Sequence, residues 1–133
     1  MLSSSAAQTG GIVLLTVVAI AYGGTFLLRV ATAKVPTNDL QRSFFRAGHA
    51  HAGVLVILGL VATLYVDLAG VDGILRSLTG LILLAAILMP AGFFLSVIGR
   101  DPQRPNALFA LIWLGALSLT VGVIAAGVGL LTV

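Results

Sequence analysis

Four long apolar stretches divide the chain, at about 10 to 30, 44 to 69, 74 to 99 and 107 to 132, and each is separated from the next by a short polar break. Each stretch reaches or exceeds the roughly 20 residues that a helix needs to cross a bilayer core. The breaks carry turn chemistry: Lys34-Val35-Pro36-Thr37-Asn38-Asp39, then Ala69-Gly70-Val71-Asp72-Gly73, then Gly99-Arg100-Asp101-Pro102-Gln103-Arg104-Pro105-Asn106. Connections this short put sequential helices side by side and antiparallel. The pattern predicts an all-α protein, an integral membrane four-helix bundle forming one domain over residues 1–133.

Composition supports that reading. Apolar residues make up 59% of the chain and charged residues only 8%, against roughly 45–50% and 25% in soluble domains. A soluble fold of this length could not cover so much apolar surface, whereas lipid solvates it. The net charge of +3 makes no phosphate-binding face, so nucleic acid is not expected as a partner. The basic residues carry topology instead. Arg29, Lys34, Arg42 and Arg46 flank the first break and Arg100 and Arg104 sit in the third, while only Arg76 lies by the second. Lys and Arg hold loops on the cytoplasmic side, so both termini are expected outside and the protein in the plasma (inner) membrane. The first stretch resembles a signal peptide only in its Ala31-Thr32-Ala33 ending; its charges follow rather than precede the apolar run, so it reads as a retained helix.

With no cysteine and no Glu, and with Asp39, Asp67, Asp72 and Asp101 all at helix ends or in loops, disulfides, thiol chemistry and paired-carboxylate hydrolysis lack their parts. Nothing points to a stand-alone enzyme. The chemistry that remains lies in Arg46-Ala47-Gly48-His49-Ala50-His51-Ala52-Gly53. Ionisable groups at membrane depth are costly and mark functional sites, and at 1.5 Å per residue these histidines stand roughly 10 to 14 Å from Arg42. Two residues apart on a helix means about 200° of rotation, so the two imidazoles serve different faces and cannot chelate one metal. His49 shares its face with Arg42, Arg46 and Gly53 and is expected to turn inward; His51, on a face of Leu and Ala, is expected to meet lipid or a partner.

Depth matching adds Tyr22 and Thr25 from the first helix, Ser96 from the third and Trp113 from the fourth at the same level. That asymmetry predicts a pocket opening toward the cytoplasm. It would be lined by His49, His51, Tyr22, Arg46 and Trp113, with His49 as the candidate metal ligand. Met89-Pro90-Ala91-Gly92-Phe93-Phe94 supplies a bend, since proline leaves the Ala86 carbonyl without its donor. The plainer alternative has both histidines as interhelical hydrogen-bonding glue, worth about 0.6 to 2 kcal/mol. Gly122 and Gly127 are expected to form the close-packing face of any homo-oligomer, and Ser3-Ser4-Ser5 reads as a solvated tail.

The run Ala47 to Leu55, followed by Leu58-Gly59-Leu60, resembles the His-x-His helix start of uncharacterised small four-span bacterial membrane proteins. It is more distantly similar to the histidine-bearing helices of the haem-copper oxidase subunit I superfamily. That family carries six histidines for haem and copper and this chain has two, so a complete oxygen-reducing site is not implied. The resemblance implies at most a haem or quinone environment around His49 or His51. The expected function is therefore binding of a flat cofactor or lipid-soluble ligand, of haem or quinone type, in the cytoplasmic half. The alternative is a structural or assembly subunit of a larger membrane complex, without a ligand.

Overall fold

The computed structural model describes all 133 residues; it contains helices and no strands. The helices are α1 (Ser4–Ala31), α2 (Asp39–Leu68), α3 (Gly73–Thr79), α4 (Leu81–Leu95) and α5 (Ala110–Leu131), the last entered through a 3₁₀ turn at Ala107–Phe109. α3 and α4 meet at Gly80 and together make one span, so four helical segments are long and apolar enough to cross a membrane.

The helix ends differ from the apolar boundaries because polar caps set them. Ser3 begins α1 as its N-cap, its Oγ accepting from the Ala6 N–H at 3.2 Å. The serines at the start of the chain are therefore not a solvated tail. Asn38 and Gln41 form a capping box at the start of α2, five residues before the apolar run begins. At the other extreme α4 stops at Leu95 rather than near residue 99. Its free terminal carbonyls are taken by other elements. Asn106 Nδ2 donates to Leu95 O at 2.9 Å and the Asn106 N–H to Ser96 O at 2.7 Å, while Gln41 Nε2 donates to Val97 O and Gly99 O, each at 3.1 Å.

α4 lies at the centre, between α2 on one side and α5 on the other, and α1 packs chiefly along α2. Leu55 and Val56 of α2 meet Ala85, Ala86 and Met89 of α4 to form the main apolar core. The α4–α5 contact rests on residues too small to hold helices apart. Gly115, Ser118, Gly122, Ala125 and Gly129 share one face of α5 and are all buried. A Cβ on Gly122 would stand 2.7 Å from Ile82 Cγ1 and 2.9 Å from the Ile82 backbone nitrogen; on Gly115 it would stand 3.0 Å from the Met89 nitrogen. Backbones this close are held by dispersion contacts, which dominate where lipid is as apolar as the interface. Gly122 is thus consumed within the chain and is not free to join two copies, whereas a Cβ on Gly127 would meet nothing within 4 Å.

The end of the bundle remote from the histidines is closed by a polar clasp. Asp67 at the end of α2 accepts from the Ser3 N–H at 2.8 Å, from Ser3 Oγ at 2.5 Å and from Arg76 Nη2 at 2.5 Å. Arg76 of α3 also donates to Ser3 Oγ at 2.9 Å and to Ser5 Oγ at 3.2 Å. The basic residue that stood apart from the other six is therefore the partner of a nearly fully buried carboxylate, and it ties three helices together.

Candidate functional site: the seam between the first two helices

All six phenylalanines of the chain lie at the histidine end. Phe26 of α1 meets Phe45 edge-on with centroids 5.4 Å apart, and Phe45 stacks on Phe94 of α4 at 5.5 Å and 19°. Phe44 meets Phe93 edge-on at 5.6 Å and lies 6.3 Å from Phe109. Gly48 admits the pair from α4, since a Cβ there would stand 2.9 Å from the Phe94 ring and 3.0 Å from Phe93 Cβ. The phenylalanines after Pro90 therefore pack against α2 at Phe44, Phe45 and Gly48.

The two histidines flank this aromatic layer on different sides, as their spacing requires. His51 faces α4: its ring is tilted at 32° over Phe93 with centroids 4.9 Å apart, and Nδ1 donates to the Ala47 carbonyl at 2.7 Å. His51 is half-buried, with one face of its ring against Phe93. His49 faces α1, where Gly23 and Gly24 leave a notch. A Cβ on Gly23 would lie 3.7 Å from His49 Nδ1 and one on Gly24 would lie 3.6 Å from Nε2. His49 is half-buried and makes no hydrogen bond within the chain.

The same seam opens one turn nearer the helix ends into a concavity of about 720 Å³. Leu27, Val30 and Ala31 of α1 form one wall, and Asp39, Arg42, Ser43 and Arg46 of α2 form the other. The spacing Arg42, Arg46, His49 puts all three on the α1-facing side of α2. Arg42 is paired with Asp39, whereas Arg46 makes no hydrogen bond or ion pair.

Of the five residues expected in one pocket, His49 and Arg46 come together on this seam. His51 is diverted to α4. Tyr22 is 78% and Trp113 69% exposed, and Trp113 belongs to α5, which α1 does not touch. The chain holds no group of three or more His, Cys, Asp or Glu side chains able to hold a metal ion, so His49 as a metal ligand has no companions within the chain. Gly23 and Gly24 of α1 lie close beside the two ring nitrogens, which leaves little clearance for a planar macrocycle at His49. Sequence reasoning missed Ser43, Leu27, Val30 and Ala31; the signal was the helical i, i+3, i+4 spacing of the last three, opposite the arginines.

No protein-family model, curated protein sequence or solved structure matches the chain.

Proposed function

We propose that this is a multi-pass protein of the plasma (inner) membrane, with antiparallel neighbouring helices, both termini outside and the histidine end in the cytoplasmic leaflet. We infer that it binds a lipid-soluble ligand with a small hydrogen-bonding head, of quinone type, at His49. The likeness of its His-x-His helix to small four-span bacterial membrane proteins belongs to the same reading. Topology is supported by the six basic residues at one end, and by the engagement of the seventh with Asp67.

The observation that carries the ligand is the glycine notch opposite an imidazole with no partner. His49 is half-buried, and a neutral imidazole has one donor and one acceptor to offer a ligand. A Cβ at Gly23 or Gly24 would sit in ordinary contact with the ring, 3.6 to 3.7 Å from its nitrogens. Both ring nitrogens stay accessible at the seam, so a carbonyl or hydroxyl oxygen that approaches one of them to about 2.9 Å makes a hydrogen bond. A ligand whose carbonyl accepts from the ring N–H, or whose hydroxyl donates to the bare nitrogen, matches the notch, and its apolar tail would run along the seam into lipid.

Purification in mild detergent, an absorption spectrum and organic extraction test this. A quinone-type chromophore is expected from the native chain and from His51→Ala, and none from His49→Ala or from Gly24→Leu, which fills the notch. A haem spectrum, or equal loss in both histidine variants, would overturn the reading. A native chain with no extractable ligand would leave the structural-subunit alternative standing in its place.

A further inference from the structure

We propose that the concavity at the end of the α1–α2 seam is a binding site for the phosphodiester head of an anionic membrane lipid. It stands apart from the ligand at His49 and needs none there. Three observations converge. First, the concavity is two-faced: Leu27 and Val30 make an apolar wall on α1, while Arg42, Ser43 and Arg46 make a polar wall on α2. A two-faced cleft fits a molecule that is itself half polar and half apolar.

Second, the charges sum to a match for one phosphodiester. Asp39 neutralises Arg42, Arg46 is unpaired, and the polar wall carries one net positive charge. The Arg46 guanidinium keeps its fork of donors for two phosphate oxygens, and the Ser43 hydroxyl sits one turn or less from both arginines to donate to a third. Third, the site lies where α1 ends at Ala31 and α2 begins at Asp39, which the membrane placement proposed above puts at the depth of the lipid phosphates. Basic pockets between membrane helices are an established way of holding anionic headgroups.

Native mass spectrometry of the detergent-purified protein, titrated with phosphatidylglycerol or phosphatidylcholine, reads this directly. Phosphatidylglycerol should bind more tightly, because the ammonium of phosphatidylcholine cancels the charge that the wall recognises. Arg46→Gln should weaken phosphatidylglycerol binding roughly five-fold, the value of one basic group near an anionic lipid, and Arg46→Lys should restore part of it. Arg104→Gln removes the same charge from a loop outside the concavity and should change nothing. Equal weakening by Arg46→Gln and Arg104→Gln would reduce the effect to general surface charge and overturn the site. Equal affinity for the two lipids would do the same. Displacement of the lipid by inorganic phosphate at equal concentration would overturn the lipid as the source of the phosphate, since the apolar wall would then contribute nothing. Arg46 is exposed and bonds to nothing in the chain, so Arg46→Gln should insert and melt like the native protein.

Discussion

The substitution Gly122→Ala probes the α4–α5 contact on which the bundle depends. Its new methyl would meet Ile82 Cγ1 at 2.7 Å and the Ile82 nitrogen at 2.9 Å. Comfortable carbon contacts begin near 3.5 Å, so the helices must part locally by roughly 0.6 to 0.8 Å. Ile82 is 1% exposed and has no free volume to turn into, and its backbone nitrogen cannot turn at all. Overpacking of this kind costs about 1–3 kcal/mol. Alanine also gains helix propensity over glycine, about 1 kcal/mol in water, which would blur a single measurement. Gly127→Ala removes that ambiguity: it lies on the same helix, gains the same propensity and meets nothing within 4 Å. The difference between the two variants therefore isolates the packing term, and Gly122→Ala is expected to be the less stable by about 1–3 kcal/mol. Reversible unfolding in mixed detergent and SDS micelles, followed by far-ultraviolet circular dichroism, reads it. Equal stability within a few tenths of a kcal/mol would show that α4 and α5 do not approach as closely as described.

Further outcomes follow from the clasp, the aromatic layer and the charge distribution. Arg76→Met leaves the Asp67 carboxylate buried without its cation, so it should lower the melting temperature in detergent more than Asp67→Asn does; the reverse order would mean that the bonds from Ser3, rather than the ion pair, hold this end. Gly48→Ala presses on the Phe94 ring and on Phe93 Cβ rather than on backbone. It should therefore destabilise less than Gly122→Ala in the same unfolding assay, by about 1 kcal/mol. A reporter fused after Val133 should be external and one inserted between Lys34 and Asp39 cytoplasmic; exchanged signals would move the histidine end to the outer leaflet.

The number and approximate limits of the spans were legible in the sequence, because a helix in lipid must satisfy its own backbone and so declares itself as an uninterrupted apolar run. The opposition of His49 and His51 was legible too, since helical rotation is fixed by residue count alone. So was the kinship of His49 with Arg46, which share a face of α2. These are properties of single helices, and local geometry determines them.

The partner of each face was not legible. Nothing in α2 itself says that His49 will meet the glycines of α1 while His51 meets Phe93. Nor does it say that phenylalanines from α1, α2, α4 and the turn before α5 will gather at the end where a pocket with Tyr22 and Trp113 was expected. Asp67, Arg76 and Ser3 are far apart in the chain and looked like unrelated helix-end residues, yet they form one clasp. The stripe Gly115, Ser118, Gly122, Ala125, Gly129 was visible as spacing, but whether it served this chain or a second copy depended on what α4 offered across from it. Burial from water drives apolar faces together in a soluble protein; between helices already in lipid that drive is absent. The pairing is then decided by shape, by how closely two backbones can approach and by which few polar groups find each other. Those are properties of two surfaces at once, and only the tertiary structure brings the two surfaces together.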